Sequence, residues 1–301
     1  MAEAKQEKLY LTPEAVSKLG NMNLIARLVV EGFMTGLHRS PYHGFSVEFA
    51  EHRQYMPGDD IRHVDWKVYG KTDRYYVKQF EEETNLKAYI LLDASASMAY
   101  GSQGVSKFHY ASWVAAALTY MMIKQRDAVG LVTFDQAIRH YLPPRSVNTY
   151  MNVILQQLQK TETGKKTNLA ETFHELAERI QRRGLIIVLS DLLDDPEKVL
   201  SGLKHFRHKK HEVVVFQILD PLERTFQFRH NTTFLDLETG EKMATQPWHI
   251  RNDYQKLMAE FIDTYKTQCL ANQIDYTLMD TQDAFDKALL QYLVKRKRIG
   301  G

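Results

Sequence analysis

The chain has 301 residues, 44% of them hydrophobic, which is enough to bury one large core or two smaller ones. Its 39 basic and 37 acidic side chains give a formal net charge of +2, which offers no general argument for binding nucleic acid or a membrane surface. The single cysteine, Cys269, excludes an internal disulfide framework and fits a reducing compartment.

Two further features favour a cytoplasmic protein without a membrane span. Residues 1–8 are charged and lack the apolar core of a signal peptide. The longest apolar stretch, residues 113–123, is too short to cross a bilayer. We therefore expect a globular chain that works in the cytoplasm.

The first 86 residues differ in character from the rest. Residues 12–36 have a helix-like pattern, whereas residues 40–83 are dense in glycine, proline, charged and aromatic residues and show no long period. The aromatic content is too high for a disordered segment. We expect residues 1–86 to form an N-terminal segment, with a helix and short strands, that packs on the following domain.

From residue 87 to residue 301, strand-like and helix-like stretches alternate. This alternation predicts one α/β domain with a three-layer, doubly wound, mainly parallel sheet. The predicted strands are residues 88–92, 128–134, 138–142, 185–189, 213–219 and 275–279. The predicted helices are residues 107–125, 149–160, 169–182, 196–207, 251–271 and 284–295, the first with one apolar face toward the sheet. Turn signals in residues 220–248 predict an inserted hairpin.

Oxygen-bearing side chains follow two of the predicted strands. Asp93, Ser95 and Ser97 stand at alternate positions after the first strand, and Asp191 ends the apolar run of residues 185–190. Thr167 lies in a polar loop ahead of a predicted helix. Such donors suit Mg²⁺ or Mn²⁺, and the carboxyl ends of parallel strands form the edge where ligands bind. For Asp93 alone, capping of the next helix is an equal explanation.

Together these residues resemble the metal-ion-dependent adhesion site of the von Willebrand factor A domain. The run Asp93-x-Ser95-x-Ser97 matches the first loop of that site, Thr167 the second loop and Asp191 the third. The resemblance implies a divalent ion, usually Mg²⁺, held directly by the two serines and directly or through water by the threonine and the aspartates. It also implies one open coordination position for an acidic residue of a protein partner.

A second motif, Tyr55-Met-Pro-Gly-Asp-Asp-Ile-Arg-His-Val-Asp-Trp66, lies in the N-terminal segment. Its Pro-Gly-Asp run predicts a turn. Four charged side chains precede Trp66 within seven residues, namely Asp59, Asp60, Arg62 and Asp65. They predict either an ion-pair network, in which Arg53 and Arg62 pair with the acids to join this segment to the sheet domain, or a docking surface beside the metal edge.

This run and the sheet domain together resemble the bacterial domain-of-unknown-function family numbered fifty-eight. The hallmark of that family is Tyr-x-Pro-Gly-Asp-Asp-x-Arg-x-x-Asp-Trp upstream of a von Willebrand factor A-like domain. The resemblance runs from about residue 11 to the C-terminus, and residues 68–71 depart from the family pattern. It implies a cytoplasmic or membrane-associated bacterial protein, often encoded near MoxR-type AAA+ ATPases, and it implies no reaction.

These observations predict a non-enzymatic protein-binding module that uses Mg²⁺, with Mn²⁺ as the alternative ion, to bind an acidic residue of its partner. The resemblance suggests a MoxR-type AAA+ ATPase as partner, in complex assembly or stress response. The alternative is a metal-dependent hydrolase of the phosphoesterase kind, although no histidine lies in the three metal loops. A third reading is a vestigial site that binds no ion.

Overall fold

A six-stranded sheet with helices on both faces forms the body of the molecule. The structure is a computed structural model, and it describes residues 12–38, 52–54, 69–70, 75–78, 86–164, 168–228, 230–237 and 240–300. Within these residues there are nine α-helices, one 3-10 helix and ten strands. None of the helices in these ranges is both long enough and apolar enough to cross a membrane.

The N-terminal segment contains two helices where the sequence predicts one. They are α1 (Pro13–Ser17) and α2 (Met22–His38). The helix is interrupted between them. The Asn21 side chain accepts hydrogen bonds from the backbone N–H groups of Asn23 and Leu24, and these bonds start a new helix. Two short strands, β1 (His52–Gln54) and β2 (Tyr76–Lys78), pair antiparallel with each other.

The central sheet has the order β10-β7-β6-β3-β4-β5. All neighbouring strands are parallel except β5, which is antiparallel to β4 at one edge. The strands are β3 (Lys87–Asp93), β4 (Ala128–Phe134), β5 (Ile138–Arg145), β6 (Leu185–Ser190), β7 (Glu212–Leu219) and β10 (Asp275–Asp280). The predicted edge strand is therefore correct in place but three residues longer than expected at its C-terminal end.

Six of the other seven helices in the described residues follow the predicted order, whereas the short helix at Pro221–Thr225 lies within residues 220–248, where the sequence predicts only a hairpin. The seven helices are α3 (Lys107–Lys124), α4 (Asn148–Lys160), α5 (Leu169–Arg179), α6 (Pro196–His208), α7 (Pro221–Thr225), α8 (Pro247–Ala271) and α9 (Asp286–Gly300). Helix α8 begins four residues earlier than predicted because a proline opens it, and proline suits the first helical position. Helix α5 ends three residues earlier than predicted because the backbone of Ile180 leaves the helical region.

The three layers arise because successive side chains of a strand point to opposite faces of the sheet. In β3, Ala88, Ile90 and Leu92 face one core with α2, α3, α4 and α9, while Tyr89 and Leu91 face a second core with α5, α6 and α8. Both faces of the sheet are thus covered, as a parallel sheet requires. The predicted fold class, a doubly wound, mainly parallel α/β sheet, is confirmed.

Helix α3 is buried more completely than a one-sided apolar stripe predicts. Fifteen of its eighteen residues are buried. Residues of α2, α4 and α9 join the same core on its other sides, so the helix lies inside the domain rather than on its surface.

The predicted hairpin is also confirmed. Strands β8 (Thr232–Leu235) and β9 (Lys242–Thr245) pair antiparallel between α7 and α8. Phe234 of β8 packs beneath the hairpin against Phe226, with ring centroids 5.3 Å apart, and so fixes the hairpin to the end of α7.

The strand order places a topological switch between β3 and β6. The helix that follows β3 lies on one face of the sheet, and the helix that follows β6 lies on the other. In open α/β sheets, ligands bind in the crevice that opens outside the carboxyl ends of the strands at such a point. The loops after Asp93 and Ser190 form that crevice.

Candidate metal centre

Aspartates mark the carboxyl edge of the sheet. Each of the five parallel strands ends in an aspartate or is followed directly by one, namely Asp93, Asp135, Asp191, Asp220 and Asp280. Asp93 and Asp191 lie at the neighbouring strands β3 and β6 and are almost fully buried, with 0% and 1% of their surfaces exposed. The two predicted carboxylates therefore meet at the switch point.

The Asp93 carboxylate is held by two hydrogen bonds. Its Oδ1 accepts the backbone N–H of Ser95 at 2.9 Å, and its Oδ2 accepts the Ser190 hydroxyl at 2.6 Å. The Ser190 oxygen in turn accepts the backbone N–H of Leu192 at 3.0 Å. Ser190 is fully buried, and the sequence reasoning did not identify it as part of the site.

Capping of the next helix does not explain Asp93. Helix α3 has Ser106 as its cap, whose hydroxyl accepts the backbone N–H of His109 at 3.2 Å. The intervening 3-10 helix (Ser97–Ala99) begins after Ala96 without any side-chain cap. Asp93 instead closes a tight turn onto Ser95, which aims the following hydroxyls at the sheet edge.

The two predicted serine ligands lie side by side. Ser95 is buried, Ser97 is half-buried, and their hydroxyl groups share a hydrogen bond with the two oxygens 3.1 Å apart. Adjacent oxygens around an octahedral Mg²⁺, with metal–oxygen distances of about 2.1 Å, are separated by about 3.0 Å. The spacing of the two hydroxyls therefore fits neighbouring ligands of such an ion.

Thr167 lies outside the described residues, so its role stays a prediction. The chain on both sides of it is attached to the edge. The backbone N–H of Gly164 donates to the carbonyl of Ala94 at 2.6 Å, and the backbone N–H of Leu169 donates to the Asp194 carboxylate at 3.1 Å. Gly164 and Leu169, on either side of Thr167 in sequence, are thus hydrogen-bonded to the two aspartate loops.

Asp191 has a partner that the sequence reasoning missed. The ammonium group of Lys107 lies 2.8 Å from Asp191 Oδ2 and 2.6 Å from Glu223 Oε1, and no part of the Lys107 side chain is exposed. The other oxygen of Asp191 accepts the backbone N–H of Leu193 at 3.1 Å. The sequence offered only a weak signal, since a lysine in the first turn of a helix opposes the helix dipole by about 0.3–1 kcal/mol and an acidic neighbour would offset this.

Electrostatics at the edge follow from burial and like charge. Burial, and after it the charge of Asp191, raise the pKa of Asp93 to about 7, although the hydrogen bonds from Ser190 and Ser95 oppose the rise. Burial alone would lower the pKa of Lys107, but Asp191 and Glu223 outweigh it and raise that pKa above its ordinary value. Burial raises the pKa of Glu223, against the opposing effect of Lys107. Added positive charge would therefore favour the ionised form of Asp93.

The loop after β7 closes the other side of the edge. Asp220 caps α7 by accepting the backbone N–H of Leu222 at 2.8 Å, and its second oxygen accepts the backbone N–H of Ser102 at 2.8 Å. Glu223 completes the capping box by accepting the backbone N–H of Asp220 at 3.0 Å. Lys107 therefore connects the Asp191 loop to the start of α7.

Two further results bear on the predictions. Within the part of the chain that the structure describes, no three side chains of His, Cys, Asp or Glu are grouped to hold a metal ion. The predicted donor set instead includes hydroxyl oxygens of serine and threonine. Residues 55–66 lie outside the described residues, so the ion-pair network of Asp59, Asp60, Arg62 and Asp65 stays a prediction.

Comparison with known proteins identifies relatives without an assigned function. A family model described as "Protein of unknown function DUF58" matches residues 51–261. An uncharacterized protein of Mycobacterium tuberculosis is 25% identical over 252 residues, which cover 82% of this chain and 78% of that protein.

Solved structures with weaker likeness were also found. The conserved hypothetical protein BatB from Bacteroides thetaiotaomicron has a TM-score of 0.49 at 18% identity, covering 71% of this chain and 99% of that chain. The vWF domain of the pilus tip protein Mfa5 from Porphyromonas gingivalis has a TM-score of 0.38 at 11% identity, covering 69% of this chain and 95% of that chain. Likeness at this level does not bear on function.

Proposed function

We propose that this chain, which belongs to the DUF58 family of proteins of unknown function, is a non-enzymatic protein-binding module with a Mg²⁺ site at the carboxyl edge of its sheet. The partner would contribute an acidic side chain to that site. The observation that carries the proposal is the meeting of buried Asp93 with two hydroxyl oxygens, of Ser95 and Ser97, 3.1 Å apart at the topological switch point.

The donor set suits a hard cation. Ser95 and Ser97 would hold the ion by their hydroxyl oxygens, and Thr167, Asp93 and Asp191 would hold it directly or through water. A bound Mg²⁺ would supply positive charge beside Asp93 and a free coordination position for a carboxylate. Ser190 and the backbone of Ser95 keep the Asp93 carboxylate in place for this role.

The hydrolase alternative is the less favoured one, because no histidine lies in the three metal loops. It needs a general base near the reacting group, and His109 is the histidine closest to the first loop in sequence. The His109 ring instead shares a hydrogen bond of 2.9 Å with the Ser106 hydroxyl and stacks on Trp113, with ring centroids 6.1 Å apart. Binding without turnover is therefore the function we favour.

The finer features of the proposal come from the family resemblance. A MoxR-type AAA+ ATPase is the partner class that it suggests, in bacterial complex assembly or stress response. The single buried cysteine fits the cytoplasm, where such a partner would be met.

Titration of the whole chain with Mg²⁺ tests the metal site. At a free Mg²⁺ concentration of 100 times Kd, we expect about 2.7 kcal/mol of stabilisation and a rise in Tm of roughly 5 °C. Ser97→Ala should reduce both the calorimetric heat and the rise in Tm, whereas Ser201→Ala, at an exposed serine of α6, should leave them unchanged. A wild-type chain that gives neither heat nor a Tm shift contradicts the proposal.

Affinity capture from the native cell tests the binding function. We expect to find partners that the wild-type chain retains with Mg²⁺ and releases in chelator. The Ser97→Ala chain should not retain them. A partner that binds equally in all three conditions contradicts metal-dependent binding. Turnover of generic phosphate esters with Mg²⁺ or Mn²⁺, abolished by Asp191→Ala, would favour the hydrolase instead.

A further inference from the structure

Lys107 is placed where a lysine is rarely found. It is the first residue of α3, and its side chain is completely buried. Lysine is almost never fully buried unless it is paired, because removing an ammonium group from water is costly. Here the pairing is double, to Asp191 at 2.8 Å and to Glu223 at 2.6 Å.

The position of this ammonium group has a consequence for the edge. Asp191 already shares one oxygen with Lys107, while its other oxygen accepts the backbone N–H of Leu193. A second cation at the same edge would be repelled by the fixed charge of Lys107 and would find Asp191 partly neutralised. Lys107 thus keeps the edge stable when no ion is bound, and it opposes the binding of one.

We propose that Lys107 is a resident cation that sets the affinity of the sheet edge for divalent ions. This inference rests on the proposed function, since it concerns the same edge. Lys107 is a positioning residue that acts through Asp191: its charge holds Asp191 and Glu223 together and limits cation binding to a weak, reversible range. A partner carboxylate that adds negative charge would then be needed to retain the ion.

Two substitutions separate this role from a merely structural one. Lys107→Met leaves Asp191 and Glu223 without a counter-ion, so the chain should become less stable without Mg²⁺ and should bind the ion about tenfold more tightly or better. The double variant Lys107→Met with Glu223→Gln removes one positive and one negative charge. It therefore leaves less repulsion at Asp191 than Lys107→Met alone, where Asp191 and Glu223 repel each other. It should still bind Mg²⁺ severalfold more tightly than the wild type, because Asp191 has lost its ammonium partner.

The matched control is Lys124→Met, at the exposed lysine that ends the same helix. It should leave the Mg²⁺ affinity unchanged. The measurement is isothermal titration of each whole chain with MgCl₂, together with Tm in Mg²⁺ and in chelator. A simply structural lysine would lower stability without raising the affinity for the ion, so the direction of the affinity change decides between the two roles.

The outcomes distinguish the two proposals. If the wild type binds Mg²⁺ and both Lys107 variants bind it equally or more weakly, the role of Lys107 is overturned. The proposed metal site is then still supported. Tighter binding by either variant supports the role of Lys107. Binding by a Lys107 variant alone supports Lys107 as the resident cation and contradicts Mg²⁺ binding by the native chain. Binding by none of the chains overturns both proposals.

Discussion

Replacing Ser190 by alanine tests the structural account of the edge most directly. Ser190 is fully buried, donates to the Asp93 carboxylate at 2.6 Å and accepts the backbone N–H of Leu192 at 3.0 Å. A hydrogen bond to a charged group contributes about 1.5–3 kcal/mol, and a buried N–H left without a partner costs about 1–3 kcal/mol. Since the loop can relax in part, we expect Ser190→Ala to lower the free energy of unfolding by about 3 kcal/mol at pH 8.

The matched control for Ser190→Ala is Ser112→Ala. Ser112 is 1% exposed, and its hydroxyl has no hydrogen-bond partner among the described residues. Removing that hydroxyl relieves an unpaired polar group and slightly favours the helix, so Ser112→Ala should be neutral or stabilise by about 0.5 kcal/mol.

Urea denaturation of both chains measures the difference. The midpoint of Ser190→Ala should fall at an unchanged slope, which indicates a loss of stability rather than a change in compactness. If the two variants agree within about 0.5 kcal/mol, Ser190 does not hold Asp93 in the way that we describe. A loss of stability in Ser190→Ala but not in Ser112→Ala supports the two successive hydrogen bonds, from Leu192 to Ser190 and from Ser190 to Asp93.

Two further predictions concern the parts of the fold that support the edge. His211 is buried, accepts the backbone N–H of Gly184 and donates to the carbonyl of Ile180, and burial lowers its pKa. The unfolded chain therefore takes up the proton first, so the stability that neutral His211 provides is complete above about pH 6.5 and is lost as the pH falls toward its lowered pKa. Gly202→Ala should destabilise by about 1–3 kcal/mol, because its Cβ would lie 2.7 Å from the Cβ of Phe173 in α5.

Each of these predictions has a control of the same residue type. His211→Gln should flatten the pH dependence of the urea midpoint between pH 5 and pH 8, and His208→Gln, at an exposed histidine, should not. Gly32→Ala in α2 meets no atom within 4 Å and should stabilise by about 0.5–1 kcal/mol. An unchanged pH dependence in His211→Gln, or equal effects of the two glycine substitutions on stability, would contradict the packing described here.

Local patterns in the sequence were sufficient for the strands and for most of the helices. Apolar runs such as residues 185–189 predict buried parallel strands, because a strand covered on both faces needs apolar residues on both sides. Helix ends were less accurate. The early start of α8 depends on Pro247, and the early end of α5 depends on the backbone of Ile180, which the apolar period does not reveal.

The predicted ligands differ in how far the structure tests them. Asp93, Ser95, Ser97 and Asp191 lie at one edge, as the strand ends predict. Thr167 lies outside the described residues. The helix-cap alternative for Asp93 is wrong, because Ser106 caps the helix that follows.

The sequence by itself determined which side chains stand at the ends of the strands, because continuous apolar runs set the strands and the polar residues after them mark where they end. Only the tertiary structure decided which of those side chains meet. Ser190 and Asp93 are 97 residues apart in sequence, and Lys107 is 84 residues from Asp191 and 116 from Glu223. These contacts depend on β6 lying beside β3 and on α3 beginning over the switch point, and no local pattern specifies either. The charge balance of the edge, and with it the role proposed for Lys107, is therefore a property of the fold.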